Sequence, residues 1–118
     1  MSAGRKAVGC PAESAIEVIR GRWKLMILHE LCSGTVRFGE LRRALRGVSE
    51  KMLTQHLREL ERDGIVTRVA YAGTPAKVEY SLSTAGWDLK PILDALHAWG
   101  VEHGAKKHAR DGVPATAS

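Results

Sequence analysis

A mainly α-helical chain with a small β-hairpin is the fold class the sequence predicts, on three observations. Between Phe38 and Arg62 apolar residues recur at helical spacing in two runs separated by Arg46-Gly47-Val48. After Gly64 the period drops to two: Val78, Tyr80 and Leu82 alternate with Lys77, Glu79 and Ser81, and Ile65 to Tyr71 is rich in β-formers. Helical spacing then governs the residues before Ser33 and after Ser83. Helix, tight turn, helix, glycine stop and hairpin in that order describe a winged helix-turn-helix, here flanked by N- and C-terminal helices that are expected to dimerise.

The elements follow in chain order. Residues 1–9 are expected to be a flexible N-terminus, and 10–103 the winged domain with its flanking helices. Ala12 to Arg20 is a short amphipathic helix carrying Ile16 and Ile19 and ended by Gly21. Trp23 to Cys32 reads as apolar nearly all round, with Trp23, Leu25, Met26, Ile27, Leu28 and Leu31, and is expected to be the central buried helix. Ser33-Gly34 stops it. The helix from Phe38 to Leu45 is expected to bury Phe38, Leu41 and Leu45 and to leave Glu40, Arg42 and Arg43 outward.

The next helix separates its residues by chemistry. Met52, Leu53, Leu57 and Leu60 fall on one arc at 3.6 residues per turn, while Lys51, Thr54, Gln55, Arg58 and Arg62 gather on the opposite one. One face packs and the other can enter a DNA major groove. Ser49 is a suitable N-cap, since its hydroxyl can accept from an unpaired amide of the first turn. Asp63-Gly64 closes the helix, because glycine adopts the left-handed C-cap conformation without a side-chain clash. Ser49 to Arg62 spans roughly 20 Å at about 1.5 Å per residue, enough to cross a groove. His56 lies within the apolar arc and reads as a core-edge residue, and Glu59, Glu61 and Asp63 as a solvated helix end.

In the hairpin, Ala72-Gly73-Thr74-Pro75-Ala76 joins the strands and forms a tip expected to reach beyond the domain. Arg68 and Lys77 could then touch phosphate or a minor groove, and equally could serve solubility alone. After Ser83 a helical stripe carries Leu89, Ile92, Leu93, Leu96, Trp99 and His103, with a kink or restart expected at Pro91. That stripe could pack on its own domain or form a dimer interface shared with Ile16 and Ile19 of the first helix. The dimer reading is preferred, because a helix beyond the wing has little domain left to cover it and reading a palindrome needs a twofold partner. From Gly104 to Ser118 the composition predicts a disordered basic tail.

Composition narrows the classes. The 118 residues, 44% hydrophobic but only 5% aromatic, support one small domain that dimerisation would help. A net charge of +5 and a pI near 9.6 suit a polyanionic partner. No apolar run approaches the roughly 18 residues of a membrane span, and the polar start MSAGRKAVG lacks a signal-peptide core, so the chain is expected in the cytoplasm, on the nucleoid when bound to DNA. Two cysteines without a CxxC agree with a reducing compartment. A phosphate loop, a credible triad and room for a second domain are all lacking, which argues against an enzyme; no cofactor is expected.

Cys10 precedes Pro11, a preferred first helical residue, which sets its sulfur at a helix N-terminus where the macrodipole favours negative charge. Arg5 and Lys6 add positive charge and Glu13 opposes them. A reactive sensor thiol and an inert small residue at a helix start both fit. Cys32 is expected to be buried and inert at the end of the most apolar helix. His29 and Cys32, spaced i, i+3, make only two ligands and no metal site is expected.

Taken in order, CPAE, GRWKLMIL, RFGELRRAL, VSEKMLTQHLRELERDGIV, KVEYSLSTAG and the late Trp99-Gly100 pair resemble the HxlR-type winged-helix regulators, related in architecture to the MarR group, over roughly Cys10 to His103. The resemblance implies a homodimeric, sequence-specific DNA-binding transcription factor, and from the dimer expected of the apolar stripe ending at Trp99 follows a pseudo-palindromic operator. The resemblance also implies Lys51, Thr54, Gln55 and Arg58 on the recognition helix and Arg37 near the DNA backbone. Some members sense electrophiles, oxidants or aldehydes through an N-terminal cysteine, the position Cys10 matches. Ser49, Arg62, Arg68 and Lys77 complete the expected DNA-binding set. A winged-helix module that binds protein and never reads bases is the alternative from another class.

Overall fold

The computed structural model describes residues 10–104. The elements run α1 (Pro11–Val18), α2 (Arg22–Leu31), β1 (Val36–Arg37), α3 (Phe38–Ala44), α4 (Glu50–Arg62), β2 (Val66–Tyr71), β3 (Lys77–Leu82) and α5 (Thr84–Trp99), followed by a single π-helical turn, Gly100–Gly104. Two compact units divide the chain, one up to Trp87 and one from Asp88. The segments expected to be a flexible N-terminus and a basic tail lie outside the described residues, apart from Gly104, which closes the π-helical turn. Among the described residues no helix is long and apolar enough to cross a membrane.

The first unit is a winged helix-turn-helix. Ile27, Leu28 and Leu31 of α2 meet Leu41 and Leu45 around α3, and Leu53, Leu57 and Leu60 of α4 join them in a core that Ile65, Val66, Tyr80 and Leu82 complete. Each such side chain removed from water contributes about 1.5–3 kcal/mol, so the inward arcs set the seating of α4. Both hairpin strands appear as expected, in antiparallel register from Val66 opposite Leu82 to Tyr71 opposite Lys77. The sheet has a third strand that the periodicity did not predict: β1 pairs antiparallel with β3, Val36 opposite Tyr80 and Arg37 opposite Glu79. Two residues are too short to show a period, and only the long-range pairing reveals them.

Several burial expectations need correction. α2 is not apolar all round in effect: Leu25 is exposed, Trp23 and Met26 are half-buried, and Lys24 is buried instead. The inward set is Lys24, Ile27, Leu28 and Leu31, at i, i+3, i+4 and i+7, which leaves Leu25 about 100° off the buried arc. Met52 stands 40% exposed for the same reason, one residue ahead of the inward Leu53. Phe38, at the start of α3, is half-buried rather than buried, and so is Cys32 at the C-cap of α2.

Lys24 is satisfied by an ion pair. Its Nζ lies 2.8 Å from Oε1 of Glu59 on α4, tying α2 to α4. Glu59 is therefore not a merely solvated helix end. The Lys24 hydrogen bond, and next a hydrogen bond from Gln55, hold its carboxyl below the usual carboxylate range. A carboxyl with a depressed folded-state pKa stabilises fully above its unfolded value, about 4.3 for Glu, and that contribution is lost as pH falls through the depressed value. Wild type is accordingly expected to lose about 1 kcal/mol more than Glu59→Gln between pH 6 and pH 3. Urea unfolding at the two pH values checks this, and equal losses would show that the pair does not stabilise the fold.

Two glycines have steric roles. Gly64 (φ 78°) ends α4 in a Schellman arrangement, with Ile65 N–H donating to Leu60 O at 2.9 Å and Gly64 N–H to Glu61 O at 3.0 Å. Gly86 lets α5 begin against the hairpin: a Cβ there would stand 2.3 Å from the Ile65 carbonyl oxygen. Ser83 joins these pieces, since its Oγ donates to Gly64 O at 2.6 Å and accepts from Gly86 N–H at 3.1 Å, while its own N–H donates to Ile65 O at 2.9 Å.

In the second unit the helix continues without the restart expected at Pro91. Proline removes one helical bond, the one to the Trp87 carbonyl, and the helix runs on past that single loss. Lys90 and Asp94 pair at 2.8 Å, and the Trp99 and His103 rings stack with centroids 4.5 Å apart.

Candidate nucleic-acid interface

Helix α4 is capped as its sequence indicates. Ser49 Oγ accepts from Met52 N–H at 3.1 Å, and the backbone at Ser49 is extended. The buried arc of Leu53, Leu57 and Leu60 turns Lys51, Gln55 and Arg58 to the exposed side, with Thr54 half-buried between them. Glu50, Lys51, Thr54, Gln55 and Arg58 line a shallow hollow along that side.

A wider open groove lies between α4, the start of α3 and the hairpin. Thr54 and Arg58 line it from α4, Arg37 and Phe38 from the β1–α3 junction, and Arg68, Lys77, Val78 and Tyr80 from the wing. The register explains the wing's share. Arg68 lies opposite Tyr80 and so shares the face on which Tyr80 is buried, carrying its guanidinium to the groove edge of the hairpin. Arg37 takes the opposite face, across from Glu79, with Nε 3.9 Å from Glu79 Oε2. Its N–H donates to Glu40 Oε1 at 2.9 Å, which fixes the start of α3 beside the groove. Four cationic side chains, Arg37, Arg58, Arg68 and Lys77, thus border one concavity, offset in part by Glu50 and Glu61. A second hollow under the wing tip is lined by Arg37, Tyr71, Lys77 and Glu79.

Of the expected DNA-binding residues, Arg37, Lys51, Thr54, Gln55, Arg58, Arg68 and Lys77 line these surfaces. Ser49 and Arg62 do not: the Ser49 hydroxyl serves as a cap, and Arg62 pairs with Asp63 at 3.5 Å at the far end of α4. Behind the exposed arc, Glu59 had been expected at a solvated helix end and Lys24 had not been singled out. Lys24 had one signal, its i, i+3, i+4, i+7 relation to Ile27, Leu28 and Leu31, which marks it as inward. His56 is half-buried, as its place in the apolar arc suggested, and its Nδ1 has no hydrogen-bond partner among the described residues.

Cys10 is exposed and is the N-cap of α1, with Pro11 opening the helix. Its N–H donates to Glu13 Oε1 at 3.3 Å. Arg5 and Lys6 lie outside the described residues. Ile16 is 60% exposed and Ile19 half-buried; in the second unit Ile92, Leu96 and Trp99 are more than half exposed, and Leu89 and Leu93 are half-buried. Among the described residues no group of three or more His, Cys, Asp or Glu side chains could hold a metal ion.

Comparison with known proteins agrees with this geometry. The family model described as HxlR-like helix-turn-helix matches residues 18–108. The uncharacterized HTH-type transcriptional regulator YtcD of Bacillus subtilis is 48% identical over 99 residues, covering 84% of this chain and 79% of that protein. Among solved structures, the redox regulator HypR in its reduced form superposes with a TM-score of 0.80 at 40% identity, covering 84% of this chain and 98% of the other. The diamide-treated YodB of B. subtilis superposes with a TM-score of 0.69 at 36% identity, covering 80% of this chain and 95% of the other. With the winged fold, the basic groove and the family match in agreement, the chain belongs to the HxlR-like helix-turn-helix family of transcriptional regulators.

Proposed function

We propose that this chain is a homodimeric regulator that binds a pseudo-palindromic DNA operator through α4 and is switched by chemistry at the Cys10 thiol. One observation carries the DNA reading: Thr54 and Arg58 of the α4 arc border one open groove with the cations of Arg37, Arg68 and Lys77, and Lys51 and Gln55 line the hollow beside it. A protruding helix with polar, hydrogen-bonding side chains fits a major groove, and flanking cations on a neighbouring wing fit the phosphates beside it. Selection from a random duplex pool tests this reading. A winged-helix module that binds only protein enriches no site; a base-reading regulator enriches one with two half-sites about one DNA turn, or a multiple, apart.

The dimer reading draws on the exposed apolar residues of α5. The switch draws on the exposed position of Cys10 at a helix start and on likeness to HypR and YodB, the one described as a redox regulator and the other solved after diamide treatment and in reduced form. An adduct of Cys10 with an electrophile, or a disulfide between two copies formed as a two-electron oxidant such as a peroxide takes up the electrons of the two thiols, would move one recognition helix against its twofold mate, so that the half-site spacing no longer fits. Cys10→Ser is expected to bind the selected duplex like the reduced wild type and to ignore a mild electrophile that releases wild type, whereas Cys32→Ser should still respond. Peptide mass spectrometry should show Cys10 modified well before Cys32. A Cys10→Ser protein that responds like wild type would remove the thiol switch and leave the DNA reading intact.

A further inference from the structure

Gln55 stands on the exposed arc of α4, yet its amide is not free to present either edge. Its Nε2 donates to Glu59 Oε2 at 3.3 Å, and Glu59 Oε1 accepts from Lys24 Nζ at 2.8 Å. Lys24 belongs to α2, and its side chain is only 9% exposed. An ionised carboxylate only accepts hydrogen bonds, so the group that Gln55 turns toward Glu59 has to be the NH2. His56 Nδ1, 3.9 Å from Glu59 Oε1, is beyond hydrogen-bond reach and does not compete for that oxygen.

We infer that Lys24 and Glu59 are positioning residues that lock the amide of Gln55 with an acceptor–donor edge toward the DNA, so that Gln55 selects an adenine in the operator. This rests on the DNA reading proposed above. With one N–H engaged by Glu59, the Gln55 carbonyl oxygen and the second N–H remain for the groove. Adenine offers a matching N6–H donor and N7 acceptor in the major groove, whereas guanine offers two acceptors, O6 and N7. The flipped amide would offer donors suited to guanine, but it would bring its own oxygen against the Glu59 carboxylate. Glu59 is in turn held as a carboxylate by the buried ammonium of Lys24, which has little water to replace its partner. A residue inside the core thus acts on base choice through two hydrogen bonds.

Glu59→Gln tests the relay with a side chain of nearly the same shape. Lys24 then donates to the new amide oxygen, the new NH2 faces Gln55, and Gln55 turns its oxygen inward and both donors outward. Site selection and sequencing on the full chain, for wild type, Gln55→Ala and Glu59→Gln, reads the outcome. In wild type the base position relaxed by Gln55→Ala is expected to be A·T. In Glu59→Gln that one position shifts toward G·C by about tenfold, toward the lower end of the discrimination a bidentate contact provides, while the rest of the site is kept. A purely structural role for Glu59 would weaken all positions together and shift none. An unchanged preference in Glu59→Gln, or a wild-type position that prefers G·C, overturns the inference and leaves the DNA reading standing. The second of these outcomes needs only wild type and the exposed Gln55→Ala, so it does not depend on how Glu59→Gln folds. Failure of wild type to enrich any site overturns both.

Discussion

Trp99→Ala is expected to weaken self-association by about 3–5 kcal/mol, the cost of truncating a fully buried tryptophan. Trp99 is 63% exposed in the single chain, and Ile92 and Leu96, at 52% each, precede it at helical spacing. Three large apolar side chains on one stripe lose free energy for as long as they face water, and a second copy removes that loss without a new partner species. The Trp99 ring stacks on His103, and His103 Nδ1 lies 3.2 Å from the Trp99 carbonyl oxygen, so the anchor is partly ordered before association. An ordered aromatic side chain gives up less rotamer entropy on docking. Sedimentation at micromolar concentration should find wild type dimeric and Trp99→Ala largely monomeric. A monomeric wild type, or a variant that associates as tightly, would reject the stripe as the interface.

Arg58→Ala should lower affinity for the selected duplex by about 1–3 kcal/mol, roughly 5- to 150-fold, with little effect on folding. Arg58 is exposed and borders both the hollow along α4 and the groove toward the wing, and the inward Leu57 next to it carries the packing. A base contact and a phosphate contact leave different traces. Loss of a base contact relaxes one position of the site, whereas loss of a phosphate contact weakens all sequences alike and lowers the salt slope by about one. Titration of cognate and scrambled duplexes at two salt concentrations separates the two. Unchanged affinity on both duplexes would remove Arg58 from the interface.

What the sequence made legible was what is local. The Ser49 cap, the two arcs of α4 and the Gly64 stop depend on neighbours within a turn or two, and each appears in the structure. What it hid depends on distant partners. β1 exists through Val36 and Arg37 finding Tyr80 and Glu79 more than forty residues on. Lys24 is buried because Glu59, on another helix, supplies the countercharge. Leu25 was expected inward from its apolar character and Met52 from a shared arc with Leu53, yet each lies about a quarter-turn off its helix's buried arc, and position outranked residue type. Among the residues that line the groove and the hollow, those of α4 follow from helical angle, although Arg62 of the same arc does not line them. The share of Arg37 and Arg68 depended on strand register, which no period in the sequence specifies.

Sequence-specific DNA reading through α4 is decided by one equilibrium titration. The full chain is titrated into a labelled duplex carrying its selected site, and into a scrambled duplex of the same length and composition, at one near-physiological salt concentration. The selected site is expected to bind at least about 10³-fold more tightly, the lower bound for specific over non-specific protein–DNA recognition. Equal affinities for the two duplexes would mean that the groove holds DNA by charge alone, and would contradict base reading by α4.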